Sequence, residues 1–274
     1  MKIELHCHTT ASDGRHTPEE IVELARAAGL SALAITDHDT TAGIRAAREA
    51  ARGQPEIIPG IEISCYQNRE IHVLGYFLDP DDPALTENLA SMRTAREHRV
   101  RAMLEQLQAV GITLSLEQVL EQAGSAILGR PHVARALVAA GHVSSFDDAF
   151  ERFIGAGKPG YVVRRNLTPV QAAAVIRRAG GVAVLAHPGL YQSDALVSEI
   201  LKGGGFSGLE AHHHSHDPKQ VRRYKRLARR LGLIATGGSD YHGPEPAHKP
   251  SLGQIPVPPE TVELLRQAAG LAAK

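Results

Sequence analysis

Histidines and carboxylates stand side by side in three short segments that lie far apart in the chain. Their sequences are ELHCH at residues 4–8, followed by Asp13, then TDHD at 36–39 and SDYH at 239–242. His6 and His8 are two residues apart, so in a β-strand both imidazoles share one face and can bind one metal ion. Because nitrogen and oxygen donors recur without thiolate, the pattern favours Mn, Zn or Fe and predicts a metal centre for hydrolysis.

Seven apolar runs are typical of buried strands, and each carries a potential ligand at or near one end. The runs are residues 3–5, 32–36, 57–63, 72–77, 182–186, 208–211 and 233–236. Further polar residues at their ends are Glu62, His72, His187 and the histidines 212–214. Most runs precede helical patterns, which predicts a mostly parallel sheet. In a closed α/β barrel the strand ends converge at one rim, so distant ligands would meet there.

Helix start signals support this alternation of strands and helices. Thr17, Thr168 and Asp217 each precede a proline and are followed three residues later by Glu or Gln, which is typical of an N-cap with a capping box. Between the runs at 72–77 and 182–186 the pattern is helical, apart from a short strand at 161–163. We therefore expect residues 83–159 to form a helical insertion that caps the C-terminal rim, and residues 1–82 and 160–274 to form the barrel.

The balance of charged residues limits which binding partners are expected. The chain has 30 Lys and Arg against 30 Asp and Glu, so no overall positive excess points to DNA or to an anionic membrane. The N-terminus lacks an apolar signal core, and no run approaches the roughly 20 apolar residues of a membrane span. Two cysteines form no disulfide framework. We expect a cytoplasmic protein.

These motifs resemble those of the PHP (polymerase and histidinol phosphatase) family. The resemblance covers roughly residues 1–80 and 160–274, and rests on the HxH pair, the Asp37-His38 pair, a glutamate after the third strand, isolated histidines and a final Asp-x-His. One departure is Glu4, where the family usually has aspartate. The resemblance implies a distorted seven-stranded (β/α) barrel that holds up to three divalent ions, with Mn²⁺ expected and Zn²⁺ or Fe²⁺ as alternatives. The implied ligand sets are His6, His8, Glu62 and Asp240; Glu62, His72 and His187; and Asp13, His38 and His242.

Within the family, residues 9–14, residues 129–135 and the helical insertion resemble 3′,5′-nucleoside bisphosphate phosphatases and related 5′→3′ exoribonucleases. This resemblance implies removal of the 3′-phosphate from adenosine 3′,5′-bisphosphate to give AMP. We expect metal-assisted hydrolysis without a nucleophilic side chain. The candidate catalytic residues are Asp13, Asp37 and His38. The candidate substrate-binding residues are Arg96, Arg99, Arg130, His132 and Arg135.

Three alternatives share this ligand pattern. The first is a nuclease that acts on short 5′-phosphorylated RNA, the second a histidinol phosphatase, and the third a metal-binding module without activity. The complete set of ligand positions favours an enzyme over a binding module. The arginines of the helical insertion favour a nucleotide over histidinol phosphate. No GxSxG motif indicates a serine hydrolase.

Overall fold

The chain divides into two units. A computed structural model describes residues 1–124, 126–163, 167–244 and 251–272. The barrel unit consists of Met1–Asn88 with Asn166–Lys274, and the helical unit consists of Leu89–Arg165. The sequence predicted slightly earlier limits for the insertion, at 83–159.

Seven strands form one sheet whose order follows the sequence. They are β1 (Lys2–Glu4), β2 (Leu30–Ile35), β3 (Glu56–Tyr66), β4 (Glu70–Tyr76), β5 (Val182–Leu185), β6 (Gly208–His213) and β7 (Ile234–Gly238). Just beyond the first and last strands, Cys7 and Tyr241 form a parallel bridge, and the His8 N–H donates to the Tyr241 carbonyl at 2.8 Å. This contact brings the two ends of the sheet together, and the predicted seven-stranded α/β barrel is confirmed.

Strand β4 departs from the parallel pattern. It is antiparallel to both β3 and β5, whereas the other neighbouring strands run parallel. Only residues 67–69 separate β3 from β4, and a parallel crossover needs a dozen residues or more. The reversal explains why His72 lies near the beginning of its strand, since β4 starts at the rim where the parallel strands end.

Ten α-helices occur in the described residues. They are α1 (Pro18–Ala27), α2 (Gly43–Ala51), α3 (Pro83–Ala109), α4 (Leu116–Ala123), α5 (Arg130–Ala139), α6 (Phe146–Ala149), α7 (Pro169–Arg178), α8 (Asp194–Lys202), α9 (Pro218–Leu231) and α10 (Glu260–Ala268). The predicted N-caps Thr17, Thr168 and Asp217 are confirmed, each with a complete capping box. Such a cap stabilises a helix by about 1 kcal/mol. None of these helices is long and apolar enough to cross a membrane.

Apolar packing holds each unit together. In the barrel unit, Leu5 belongs to a buried cluster with Leu265 of α10, and Leu33 belongs to another with Ile21 of α1. Burying a side chain of this size contributes roughly 1.5–3 kcal/mol. The helical unit has its own core, which includes Val133 of α5. Residues 161–163, predicted as a short strand, are irregular.

Candidate metal centre

Glu62 lies at the centre of a cluster of histidines. It belongs to β3, and its side chain is only 1% exposed. Its Oε2 atom lies 3.3 Å from Nε2 of His6, 3.2 Å from Nε2 of His8 and 3.1 Å from Nδ1 of His38. Its Oε1 atom lies 2.9 Å from Nδ1 of His72 and 3.0 Å from Nε2 of His187. One carboxylate of β3 therefore contacts a histidine of β4 and four histidines in the segments that follow β1, β2 and β5.

The structure brings all nine residues of the implied ligand sets together. His6, His8, Glu62 and Asp240 form one group of donors whose atoms lie within 4.8 Å of one another. A second group contains Asp13, His38 and His242, joined by His8. The third set also converges, because Nδ1 of His72 lies 3.3 Å from Nε2 of His187 and both contact Glu62. The rim of the barrel thus carries three adjoining donor groups.

Spacing and burial test whether these donors fit metal ions. Ligand atoms that share one ion at about 2.1 Å lie about 3.0–3.4 Å apart, which matches the contacts around Glu62. Among the implied ligands, six donor atoms are buried without a hydrogen-bond partner in the described residues: Nε2 of His6, both ring nitrogens of His8, Nδ1 of His38, Oε2 of Glu62 and Nδ1 of His187. Leaving such an atom unpaired costs about 1–3 kcal/mol. The residues therefore fit divalent cations that accept nitrogen and oxygen ligands.

Electrostatics favours positive charge in this centre. Burial by itself raises the pKa of Glu62, but its electrostatic interactions with His38, His72 and His6 hold that pKa well below its usual value. Burial likewise lowers the pKa of His8, yet the carboxylates of Asp240 and Glu62, each 3.2 Å from its Nε2, raise it to about 10. The ionised carboxylates thus hold protons on nearby imidazoles. Divalent cations bound at the same positions would neutralise these carboxylates in the same way.

Glu210 is a functional residue that the sequence analysis missed. It lies in β6 and is fully buried. Its Oε1 accepts a hydrogen bond from Nδ1 of His6 at 3.0 Å, and its Oε2 accepts one from the backbone N–H of His187 at 2.7 Å. Because Nδ1 of His6 is occupied, Nε2 faces Glu62 and Asp240. The available signal was a carboxylate within the apolar run 208–211, where an unpartnered charge is costly.

Glu4 holds the backbone on which His6 lies. Its Oε1 accepts the N–H groups of His6 at 3.0 Å and Ser239 at 2.9 Å, and its Oε2 accepts that of Gly253 at 2.9 Å. The barrel is tight at this point, since a Cβ atom added to Gly238 would lie 2.4 Å from the Cβ of His6. The glutamate that replaces the family's aspartate therefore supports His6 through its backbone, while Glu210 supports its ring.

Asp37 orders a loop beside the donor groups. Its Oδ1 accepts the Thr9 N–H at 2.7 Å and the Ser12 hydroxyl at 2.6 Å, and its Oδ2 accepts the Thr9 hydroxyl at 2.8 Å. This loop carries Asp13, whose carboxylate lies 3.4 Å from Nε2 of His242 and 4.0 Å from Nε2 of His38. Asp37 itself belongs to none of the donor groups found in the described chain. Its contacts indicate a positioning role, and the catalytic roles of these residues stay predictions.

His213 of the histidine run 212–214 contacts the implied ligand Asp240, and His214 offers a further donor atom to the same group. The side chain of His213 is buried, and its Nε2 lies 3.6 Å from Oδ2 of Asp240. Its other nitrogen, Nδ1, lies 2.7 Å from the hydroxyl of Ser215. The sequence could not distinguish His213 from its two neighbours, because the direction of each side chain depends on where β6 ends.

The five predicted substrate-binding residues all lie in the helical unit. Arg96 and Arg99 each donate to a backbone carbonyl, at 3.0 and 2.9 Å. Nδ1 of His132 accepts the backbone N–H three residues earlier at 3.1 Å, at the start of α5. The guanidinium of Arg130 lies 5.7 and 5.8 Å from the centres of two aromatic rings. Arg135 is half-buried. These contacts lie within the helical unit, and substrate binding by the five residues stays a prediction.

Comparison with known proteins gives consistent matches. The PHP domain family model matches residues 4–149. The chain is 40% identical over 252 residues to the 5′-3′ exoribonuclease Rnm of Escherichia coli, which covers 89% of this chain and 86% of that protein. It is 36% identical over 249 residues to the 3′,5′-nucleoside bisphosphate phosphatase of Chromobacterium violaceum, covering 88% and 87%. A solved structure from Bifidobacterium adolescentis, described as a candidate metal-dependent phosphoesterase, gives a TM-score of 0.88 at 34% identity, covering 98% and 96%.

Proposed function

The chain belongs to the PHP domain family, and we propose that it is a metal-dependent phosphoesterase that removes the 3′-phosphate from nucleoside 3′,5′-bisphosphates. The proposed reaction converts adenosine 3′,5′-bisphosphate to AMP and phosphate. The observation that carries the proposal is the convergence of buried nitrogen and oxygen donors around Glu62. The related phosphatase of Chromobacterium violaceum supports the choice of substrate.

The three donor groups would hold up to three divalent ions. Their imidazole and carboxylate donors suit Mn²⁺, Zn²⁺ or Fe²⁺, and of these we propose Mn²⁺. When bound, such ions neutralise charge on a phosphoryl group and lower the pKa of water toward 7. Glu62 contributes to more than one group, so it joins the ion sites to one another. Glu210 keeps Nε2 of His6 available by occupying Nδ1.

Side-chain exposure indicates the face from which substrate approaches. His6 and His8 are 0% exposed, whereas His72 and His242 are each 20% exposed. His38 lies on the same open side at 13%, and burial lowers its pKa to about 3, so its ring is neutral near pH 7. A neutral imidazole can bind an ion, and because His38 is partly exposed and lies 4.0 Å from Asp13, we assign both residues to this face.

No side-chain nucleophile is needed in this scheme. The hydroxyl of Ser12 lies 3.3 Å from Oδ1 of Asp13, and it donates to Asp37 at 2.6 Å. Its task is therefore to hold the loop that carries Asp13. The chain's own contribution is to fix the donors, keep water out of the deeper part of the centre and leave one side open to a phosphate ester.

The decisive experiment measures phosphate release by metal-stripped protein that is resupplied with Mn²⁺. Adenosine 3′,5′-bisphosphate is compared with a 5′-phosphorylated RNA trimer, and the nucleotide products are identified. We expect Mn²⁺-dependent formation of 5′-AMP from the bisphosphate. If Mn²⁺ supports hydrolysis of the bisphosphate and of the RNA trimer at equal rates, the protein also has nuclease activity. If neither substrate reacts, the proposed function is wrong.

A 5′-3′ exoribonuclease is the second candidate. The specific observation that favours it is an exposed row of arginines on α9 of the barrel unit, which a mononucleotide does not require. The similarity to the exoribonuclease of Escherichia coli adds to it. Both reactions break a phosphate ester, so one metal centre can serve both.

A further inference from the structure

Helix α9 carries an unusual concentration of positive charge. Its 14 residues, PKQVRRYKRLARRL, include seven Lys and Arg and no acidic residue. The whole chain has 30 of each sign, so this helix departs sharply from the overall balance. Such a local excess creates a positive potential that attracts polyanions.

The charges lie on one face of the helix. At 3.6 residues per turn, positions 222, 226, 229 and 230 fall within about 100° of one another. All four arginines are exposed, and none forms an ion pair with another residue in the described parts of the chain. Arg223, by contrast, pairs with Asp194 at 2.7 Å. We call Arg222, Arg226, Arg229 and Arg230 the α9 arginine row.

The opposite face of α9 is already occupied. Tyr224 and Ala228 are buried, and the helix packs on β6 and β7. An amphipathic helix that binds a membrane needs a free apolar face to insert between lipids. Because that face is covered here, the exposed part of α9 offers charge alone, which suits a flexible polyanion better than a bilayer.

The helix begins beside the candidate metal centre. Asp217 is its N-cap, and four residues earlier β6 ends at His213, whose Nε2 lies 3.6 Å from Asp240. From this point the 14 residues extend about 21 Å away from the rim. A nucleic acid strand with its terminal nucleotide at the metal centre can therefore continue along the arginine row.

We infer that the α9 arginine row binds the phosphodiester backbone of single-stranded RNA whose 5′ end lies in the metal centre. This inference rests on the exoribonuclease activity proposed above and assigns the surface that such a substrate requires. The contacts are with phosphates, so they position the strand without selecting its sequence.

The test compares two variants of equal charge. In the first, the row is neutralised by Arg222→Gln, Arg226→Gln, Arg229→Gln and Arg230→Gln. In the matched control, four exposed arginines of other barrel helices are neutralised by Arg45→Gln, Arg48→Gln, Arg177→Gln and Arg178→Gln. Glutamine is a good helix former, so both proteins should fold, which circular dichroism and thermal unfolding would verify.

Binding is measured by fluorescence anisotropy with metal-free protein and a 5′-phosphorylated, 3′-labelled RNA of roughly twenty nucleotides, over a range of salt concentrations. If four phosphates are contacted, the slope of log affinity against log salt should become shallower by about 3 in the row variant. We expect its affinity at low salt to fall at least tenfold relative to the control variant. With Mn²⁺, kcat/KM should fall more for this RNA than for adenosine 3′,5′-bisphosphate.

Equal RNA binding by the two variants, with nucleotide hydrolysis intact, would overturn the inference and leave the proposed function standing. Loss of hydrolysis of every nucleotide by the unmodified protein, with RNA binding that still depends on the row, would overturn the function and support the surface. Vesicles of phosphatidylglycerol and phosphatidylcholine are tested in parallel. If the row variant loses vesicle binding and keeps RNA binding, the surface is a membrane site and the inference is wrong.

Discussion

Glu210→Gln tests whether hydrogen bonds to the implied ligands His6 and His187 determine the metal affinity. In the structure Oε1 and Oε2 of Glu210 accept hydrogen bonds from Nδ1 of His6 at 3.0 Å and from the His187 N–H at 2.7 Å. Burial by itself raises the pKa of Glu210, but the charges on His6 and His213 lower it to about 2, so the wild-type group is an acceptor at neutral pH. Glutamine has the same shape, yet one of its two acceptor oxygens becomes a donor.

The consequence falls on His6. The amide oxygen must accept the His187 N–H, because a backbone donor cannot change its role. The amide NH₂ then faces Nδ1 of His6 and favours the tautomer with its proton on Nε2, the atom that faces Glu62. Restoring the binding tautomer would leave a buried donor unpaired at a cost of about 1–3 kcal/mol. Since about 1.4 kcal/mol is tenfold, we expect metal affinity to fall roughly 10–100-fold, the range typical of such changes.

The assay is a titration of metal-free protein with Mn²⁺, in which free Mn²⁺ is followed by its electron paramagnetic resonance signal. Activity is then measured at limiting and at saturating Mn²⁺, and should recover substantially at saturation. Glu56→Gln is the matched control, because Glu56 lies at the other end of β3 and pairs with Arg266 at 2.7 Å. Mn²⁺ affinity in folded Glu210→Gln within about twofold of wild type would refute the reasoning, since that difference is far below the expected 10–100-fold.

Three further outcomes are expected. Glu62→Gln should lose most bound metal and nearly all activity, since one carboxylate contacts five histidines; full activity with full metal content would show that the donor groups are misassigned. Metal binding near neutral pH should release protons, because the pKa values of His8 and His72 are raised to about 10 and about 9 and bound imidazoles must be neutral; calorimetric heats that do not vary with the ionisation enthalpy of the buffer would contradict this. His216 is buried, which lowers its pKa to about 4, and its Nε2 accepts the Gly189 N–H. His216 therefore binds a proton below about pH 6.5 in the unfolded chain but only below about pH 4 in the folded protein. As the pH falls between these values, the free energy of unfolding decreases by up to about 3 kcal/mol. Chemical denaturation of the metal-free protein should show the stability advantage of wild type over His216→Asn shrinking as pH falls through this window, and a constant difference would count against it.

Local patterns in the sequence were sufficient to locate the strands and most of the donors. The apolar runs correspond to β1–β7, and polar residues such as His6 and Asp37 follow the runs directly. The reason is that a strand repeats every two residues and a parallel barrel gathers its strand ends at one rim. The antiparallel direction of β4 was not predicted, although the connection at 67–69 is too short for a parallel crossover.

The role of Glu210 was decided by tertiary structure. It contacts His6 across 204 positions of sequence, and no local pattern says which partner a buried carboxylate meets or which imidazole nitrogen it occupies. The same holds for the α9 arginine row, since the sequence shows the charges but only the packing on β6 and β7 shows which side is free.

The sequence by itself thus determined the residue types of the metal centre and the strands that carry them, because composition and periodicity are local properties. Only the tertiary structure decided how those residues face one another. Hydrogen bonds between distant segments orient Nε2 of His6 and connect Asp37 to the loop at 9–12. Such bonds form only when hydrophobic packing has set the strand register, and that register is a property of the whole barrel.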